Sequence, residues 1–226
     1  MINTMPNDAA IVALCAEIYQ PTAIAGAFDY YDAGIDDGIC WAVKRLDGFD
    51  VVIFRGSVTR QDWLRDVQAL AMPSRIGHVH SGFYAGMEHM WADLRPILSQ
   101  PAIITGHSLG AARADVLAAL MAVDGVPPVA RVVFGEPKPG LLDFAKLITG
   151  IPGRSYRNGD NTHHDLITDV PFSFPPEQYV HPTPIIPVCC RPTGDLFSTM
   201  GVFAYHHIGL YETALASPQP QEKAVA

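Results

Sequence analysis

The fold is decided by the stretch Ile103-Ile104-Thr105-Gly106-His107-Ser108-Leu109-Gly110-Ala111-Ala112-Arg113-Ala114. Residues 102–105 are apolar and partly β-branched, which is typical of a central strand in a parallel sheet. Residues 109–123 contain many Ala and Leu and no Pro, which favours a helix. The stretch therefore predicts a buried strand, a sharp turn and a helix.

The turn has the pattern G-x-S-x-G, with Ser108 at its centre. Between a strand and a helix this pattern is typical of a nucleophile elbow, in which a strained turn flanked by two Gly exposes a serine hydroxyl. The backbone N–H of Leu109 could then donate to an oxyanion. The alternative is an ordinary β–α turn with a Gly-rich corner, because a five-residue pattern also arises by chance.

Composition limits the class of protein. The chain has 226 residues, of which 49% are hydrophobic, and a formal net charge of −8. This length predicts a single domain over residues 1–216, and the Pro- and Gln-rich tail at 217–226 is expected to be disordered. The negative charge argues against nucleic acid or an anionic membrane as a partner, and no apolar run is long enough for a transmembrane helix.

The N-terminus does not resemble a signal peptide, because residues 1–8 lack a basic segment followed by an apolar run. The cysteines have neither metal-ligand spacing nor the pattern of a disulfide framework. Both observations predict a cytoplasmic protein with free thiols, although a mature secreted form without its leader would look the same. The four cysteines are Cys15, Cys40, Cys189 and Cys190.

The rest of the chain predicts alternating strands and helices. Residues 8–19 have apolar side chains at helical spacing, with Asn7 or Asp8 as the N-cap. Asp47-Gly48 separates apolar runs at 38–46 and 49–55 and predicts a β-hairpin. The alternation favours an α/β fold with a mostly parallel central sheet flanked by helices. The other predicted elements are a helix over 81–99, a strand over 131–135, a helix over 140–149, a strand over 154–157 and a terminal helix within 202–215.

A nucleophilic serine needs partners. Its hydroxyl is weakly nucleophilic near neutral pH, so a general base must lie within hydrogen-bond reach, and a carboxylate must fix the tautomer of that base. After an elbow serine, the acid and then the histidine follow along the chain. That order is present here, and spacing alone leaves the choice open. The candidate acids are Asp160, Asp165 and Asp169, and the candidate histidines are His206 and His207.

Arg55-Gly56-Ser57 directly follows the second run of the hairpin. Ser57 could belong to a plain turn. It could also supply the second half of an oxyanion hole, which in elbow hydrolases comes from the loop after an early strand. The residues themselves favour neither reading.

Four motifs lie between about residue 50 and residue 140: Phe54-Arg55-Gly56-Ser57, Val79-His80-Ser81-Gly82-Phe83, Thr105 to Ala112, and Phe134 to Gly140. Together with the chain up to about residue 215 they resemble the class 3 lipases, the α/β-hydrolase family that includes the filamentous-fungal triacylglycerol lipases. The corresponding family patterns are F-R-G-[ST], V-H-x-G-F, T-G-H-S-L-G-G-A and F-G-x-P-R-x-G. One departure is Ala111, which stands where the family has a Gly.

The resemblance implies a role for each candidate. Ser57 would line the oxyanion hole with the N–H of Leu109. The acid would be Asp165, because a proline follows the family's acid six residues on and Pro171 stands there. Asp160 remains the alternative, since the segment that ends with it also resembles the start of the family's motif.

The base implied by the resemblance is His206, which precedes an apolar residue, a Tyr and a helix. His207 is the alternative, because the pattern occurs twice. The segment from Ser57 to Trp63 resembles the family's short lid. The clearly apolar residues in and directly after it are Val58, Trp63 and Leu64. A lid this short and polar predicts weak interfacial activation.

The resulting expectation is a serine hydrolase that cleaves carboxylic esters such as acylglycerols through an acyl-enzyme. The resemblance implies an ester or lipid substrate, at most transient contact with a lipid interface, and no metal or organic cofactor. The alternatives are a thioesterase, a feruloyl esterase or an acyltransferase with the same residues, or a non-enzymatic binding protein on the same fold.

Overall fold

A seven-stranded sheet lies at the centre of the fold. The computed structural model describes residues 4–20, 26–35, 38–56, 70–172, 178–196 and 201–216. The strands are β1 (Tyr30–Asp32), β2 (Trp41–Leu46), β3 (Phe49–Phe54), β4 (Ala71–Ser74), β5 (Gly77–His80), β6 (Ala102–His107), β7 (Ala130–Phe134), β8 (Gly153–Asn158) and β9 (Ile185–Val188). Their order in the main sheet is β1-β2-β3-β6-β7-β8-β9, and β4 pairs with β5 separately.

The main sheet is mostly parallel, as the sequence predicts. The pairs β3–β6, β6–β7, β7–β8 and β8–β9 are parallel, whereas β1–β2 and β2–β3 are antiparallel. The central position of β6 places the carboxyl end of that strand between the ends of β3 and β7. Ligand and catalytic sites in open α/β sheets form outside the carboxyl ends of the strands.

Helices lie on both faces of the main sheet. They are α1 (Asp8–Glu17), α2 (Ser81–Tyr84), α3 (Met87–Leu94), α4 (Leu109–Val123), α5 (Leu142–Ile148) and α6 (Ile208–Ala216), with 3₁₀ turns at Leu166–Asp169 and Gly201–His206. Helices α1 and α6 pack in one core with Val51 and Ile103, and α2 to α5 pack in another with Val52 and Ile104. Because successive strand residues face opposite layers, both faces must be apolar, which explains the unbroken apolar runs.

Several local predictions are confirmed. The Asn7 side chain caps α1 by accepting from the Ala10 N–H at 2.8 Å. The turn between β2 and β3 has the backbone expected of Asp-Gly, with φ of 52° at Asp47 and 85° at Gly48. All four cysteines are free thiols. Among the described helices, none combines the length and the apolar content that crossing a membrane requires.

The prediction of one helix over 81–99 is wrong. The segment forms two shorter helices, because Gly86 has a φ of 77° and breaks the helix between Tyr84 and Met87. Strand β9 was not predicted, since its Pro187 argues against a central strand. It lies at the edge of the sheet, where a missing N–H is tolerated. The boundary of the single domain at residue 216 stays a prediction, and the tail at 217–226 lies outside the described residues.

A buried ion pair joins α4 to the sheet. The Arg131 guanidinium, in β7, donates to the Asp115 carboxylate at 2.5 Å, and both side chains are fully buried. It also donates to the Thr183 hydroxyl at 3.1 Å. Gly153 leaves room for it, because a Cβ there would lie 2.9 Å from Arg131 Nε. The pair therefore connects helix α4 to strand β7.

Arg131→Met should lower the free energy of unfolding by about 3 to 5 kcal/mol, because it leaves the buried Asp115 carboxyl group, whose pKa burial raises well above its ordinary value, without its partner. Chemical denaturation followed by circular dichroism measures this. The control is Asp93→Asn, whose carboxylate lies 3.6 Å from His89 on the exposed surface. The control should change stability by less than about 0.5 kcal/mol. Equal losses in both variants would contradict the role assigned to the buried pair.

Candidate active site

Ser108 lies in a strained turn between β6 and α4. Its φ of 62° and ψ of −131° are unusual for a residue with a side chain. The Ser108 N–H donates to the Phe134 carbonyl at 3.0 Å, and the Ser108 carbonyl accepts from the Ala111 N–H at 2.9 Å. These bonds hold the strained residue between the end of β7 and the first turn of the helix.

The two Gly of the elbow allow three backbones to meet. A Cβ on Gly110 would lie 2.8 Å from the carbonyl carbon of Phe54, at the end of β3. A Cβ on Gly106 would lie 2.9 Å from the backbone nitrogen of Ala111. Either contact is too close for a real side chain, so the helix could not pack this tightly on β3 and β6 without Gly at these positions.

Asp165 and His206 meet at the same end of the sheet. Asp165 precedes the 3₁₀ turn 166–169 and His206 is the last residue of the turn 201–206. The His206 Nδ1 lies 2.6 Å from the Asp165 Oδ2, and the Asp165 side chain is fully buried. The His206 Nε2 is also buried, and among the described residues it has no hydrogen-bond partner. That nitrogen is therefore available to a hydroxyl proton.

Three donors hold the Asp165 carboxylate. Besides His206, the Tyr211 hydroxyl donates to Oδ2 at 2.5 Å and the Ile167 N–H donates to Oδ1 at 2.9 Å. Burial acts to raise the pKa of Asp165, but the charge of His206 and these hydrogen bonds outweigh it and keep that pKa below its ordinary value. Asp165 therefore stays ionised at neutral pH despite its burial.

The other candidate groups make different contacts. Asp160 is exposed and its carboxylate accepts from the Thr162 and His163 N–H groups at 2.7 Å. Asp169 lies 2.8 Å from His164 Nε2. The exposed His207 accepts from the Gly209 N–H through Nδ1 at 3.2 Å. None of these described contacts joins a second acid or histidine to the Asp165–His206 pair.

Of the two predicted oxyanion residues, Leu109 is the first residue of α4. The first N–H groups of an α-helix have no partner inside the helix, and they attract negative charge. Ser57 lies outside the described residues, as do Val58, Trp63 and Leu64 of the expected lid.

Three residues with contacts at this site were not predicted. Tyr211 was visible in the sequence only as the Tyr after the candidate histidine. Gly135 directly follows β7 and has a φ of 56°, and a Cβ there would lie 2.7 Å from the Asp165 Oδ2. Gly135 therefore lets the Asp165–His206 pair lie directly against the sheet. His107 precedes Ser108, and its ring stacks on that of His206 with 4.5 Å between ring centroids.

His107 is held in one arrangement. Its Nε2 lies 2.8 Å from the His206 carbonyl oxygen and its Nδ1 lies 3.0 Å from the Tyr19 hydroxyl. Burial, and then the neighbouring charge of His206, lower the pKa of His107 well below its ordinary value. The nearby carboxylate of Asp165 opposes this shift and His207 adds to it. His107 is therefore neutral at neutral pH.

The candidate site combines a strained serine at a strand–helix elbow with a buried Asp–His pair. The family model of lipase (class 3) matches residues 51–174, which is more than half of the 226 residues. The chain belongs to the class 3 lipase family.

Two relatives of this class 3 lipase are named as secreted mono- and diacylglycerol lipases. Lipase 1 of Fusarium solani is 31% identical over 125 residues, which are 49% of this chain and 37% of the relative. Lipase A of Penicillium cyclopium is 26% identical over 155 residues, which are 63% of this chain and 50% of the relative. The chain thus spans half or less of the length of these relatives. Neither supports the expected cytoplasmic location.

The fold is shared with solved lipase structures. A crystal structure of the lipase from Rhizopus microsporus var. chinensis superposes with a TM-score of 0.61 and 18% sequence identity. The superposition covers 75% of this chain and 71% of the other. The predicted α/β-hydrolase fold of this class 3 lipase is therefore confirmed.

The neutral, buried His107 should make folding sensitive to mild acid. Below a pH of about 6.5 the unfolded chain binds a proton at this position and the folded chain does not, so stability is lost as the pH falls. Between pH 6 and pH 5, wild type should lose up to about 1.4 kcal/mol per pH unit more than His107→Gln. Asp165, whose pKa is lowered in the folded protein, changes the stability of the fold only near and below pH 4.

Urea unfolding of both proteins at half-unit steps from pH 7 to pH 5 measures this difference. Wild type and His107→Gln with parallel curves of stability against pH would contradict a buried, neutral His107.

Proposed function

We propose that this class 3 lipase hydrolyses carboxylic esters of lipids, with Ser108 as nucleophile, His206 as general base and Asp165 as the acid that orients it. The observation that carries the proposal is the buried Asp165–His206 pair, with a bond of 2.6 Å, at the end of the sheet where the strained Ser108 turns into α4. A neutral serine needs such a pair to become nucleophilic.

The first half of the reaction forms an acyl-enzyme. The Ser108 Oγ attacks the ester carbonyl while the His206 Nε2 takes the hydroxyl proton. Asp165 accepts a hydrogen bond from the His206 Nδ1 and stabilises the imidazolium that forms. As the tetrahedral intermediate collapses, the imidazolium returns its proton to the departing alcohol oxygen.

The oxyanion of the intermediate needs donors. The N–H of Leu109, at the start of α4, is one, and Ser57 is the second that the family resemblance suggests. Each such donor typically contributes about 3 kcal/mol to the stability of the transition state. In the second half of the reaction, His206 takes a proton from water as the water oxygen attacks the acyl-enzyme. The imidazolium then returns that proton to the Ser108 Oγ as the carboxylic acid leaves. These steps use only side chains and water.

Acylglycerols are the proposed substrates, because two relatives are named as mono- and diacylglycerol lipases. The same relatives are named as secreted, so we propose a secreted protein, in place of the cytoplasmic location expected from residues 1–8. Thioesterase, feruloyl esterase and acyltransferase activities use the same residues and are separated by a substrate panel. A binding protein without activity would not need the ionised, buried Asp165.

Ser108→Ala should lower kcat for p-nitrophenyl esters by at least about 10⁴-fold, because the nucleophile is lost. The assay uses a series from acetyl to palmitoyl, so the preferred chain length also separates an esterase from a lipase. Ser99→Ala is the control, since Ser99 is exposed at the opposite end of β6. Fluorophosphonate should label wild type and Ser99→Ala but not Ser108→Ala. Label on the Ser108→Ala protein would argue for a different nucleophile.

Asp165→Asn should lower kcat by about 10⁴-fold, because an amide leaves His206 in the wrong tautomer. Asp160→Asn is the matched control, since Asp160 is exposed and caps two N–H groups of its own loop. It should keep kcat within about 2-fold of wild type, because substitutions on an exposed surface are mostly small in effect. The reverse ranking would identify Asp160 as the acid.

A further inference from the structure

Tyr19 lies where three parts of the candidate site meet. Its hydroxyl accepts from the Gly56 N–H at 3.0 Å and lies 3.0 Å from the His107 Nδ1. The His107 Nε2 lies 2.8 Å from the carbonyl oxygen of His206. One polar chain thus runs from the end of β3 through Tyr19 and His107 to the backbone of the candidate base.

The direction of each hydrogen bond follows from its ends. A carbonyl oxygen only accepts, so the His107 Nε2 carries the proton and donates to His206. A neutral imidazole then has a lone pair on Nδ1, so the Tyr19 hydroxyl must donate to it. That leaves the lone pairs of the Tyr19 oxygen to accept from Gly56. Every donor in this row of hydrogen bonds has an acceptor. Reversing the direction of any one hydrogen bond would break another.

The protonation states support this arrangement. Burial raises the pKa of Tyr19, so its hydroxyl keeps the proton that it donates. Burial and the charge of His206 lower the pKa of His107, so that ring stays neutral and keeps its acceptor nitrogen. A neutral ring stacked on His206 also avoids repulsion between two cations when His206 takes the proton of the nucleophile.

The Tyr19 hydroxyl also fixes the end of β3 by contact. A Cβ on Gly56 would lie 2.5 Å from the Tyr19 oxygen, 2.6 Å from the His107 carbonyl oxygen and 2.9 Å from the Ser108 Cβ. Gly56 is therefore enclosed between Tyr19 and the elbow. In the sequence, Gly56 directly precedes Ser57, the second proposed oxyanion donor.

We infer that Tyr19 is a positioning residue, which through Gly56 and His107 holds the end of β3 and the backbone of His206 in register with Ser108. The inference rests on the proposed function. Tyr19 is supplied by the turn after α1, and it lies outside residues 51–174, which match the family model. Residues before the family match thus complete the site, and a chain that begins at β3 would lack the Tyr19 contact.

Tyr19→Phe tests this with minimal change, because the ring keeps its edge contact with His107 and only the hydroxyl is lost. We expect kcat to fall by about 10- to 100-fold, with KM unchanged, since a small misplacement of reacting groups costs rate more than substrate binding. The affinity for a boronic acid, whose tetrahedral adduct on serine mimics the transition state, should fall by the same factor.

The matched control is Tyr156→Phe. The Tyr156 hydroxyl donates to the Asp8 carboxylate at 2.5 Å, so its loss also loosens α1 but leaves the polar chain intact. Both variants should unfold at lower temperatures than wild type. Only Tyr19→Phe should lose kcat and boronic acid affinity. Equal losses of kcat in the two variants would overturn the inference, because Tyr19 would then act through α1 stability alone.

His107→Phe tests the chain from its other end, and it serves if Tyr19→Phe does not fold. It keeps a ring on His206 and deletes both hydrogen bonds. The double variant with both Tyr19→Phe and His107→Phe should have a kcat no lower than that of the slower single variant, because both changes break the same row of hydrogen bonds. Independent losses that multiply would overturn the inference. So would a Tyr19→Phe enzyme as fast as wild type. A wild-type protein that neither hydrolyses esters nor reacts with fluorophosphonate would refute the proposed function itself.

Discussion

The close approach of α4 to the ends of β3 and β6 is the constraint on which the candidate site depends. Gly106 and Gly110 permit it, because a Cβ at either position would overlap the backbone of the neighbouring element. Ser108 lies at this junction with an unusual φ of 62°, and the residue is buried. The approach also places the first N–H groups of the helix beside Ser108. The strained turn, the proposed nucleophile and the proposed oxyanion donor Leu109 therefore all depend on one packing contact.

The polar groups of the site are buried at a cost that the fold offsets with directed hydrogen bonds. Burial alone would raise the pKa of Asp165, yet the charge of His206 and the hydrogen bonds from His206, Tyr211 and Ile167 keep that pKa below its ordinary value. Burial acts on His107 in the same direction, toward the neutral form, and nothing nearby reverses it. The site thus contains an ionised Asp165 and a neutral His107. They differ because donors and the charge of His206 stabilise the carboxylate, whereas burial and the same charge disfavour a cation on His107.

The sequence predicts what local patterns determine. The elbow, helix α4, the β2–β3 hairpin and the cap at Asn7 each depend on residues within one short window, and all four are present. The helix over 81–99 was wrong because the left-handed φ of Gly86 overrides the apolar spacing around it. Strand β9 was missed because an edge position tolerates Pro187. Tyr19, Gly135 and the Arg131–Asp115 pair were missed because their meaning lies in contacts between distant segments, which no local pattern encodes.

That difference also separates the two halves of the candidate site. The proposed nucleophile Ser108 and the proposed donor Leu109 come from one continuous stretch, so their placement depends only on β6 and α4. The proposed base is different, because His206 lies beyond the family match and 98 positions further along the chain than Ser108. Its placement depends on the packing of α1 against α6, the helix that follows His206, and on Tyr19 in the turn after α1. If Ser108 and His206 act as proposed, the elbow alone does not complete the site, and the packing of α1 against α6 is also needed.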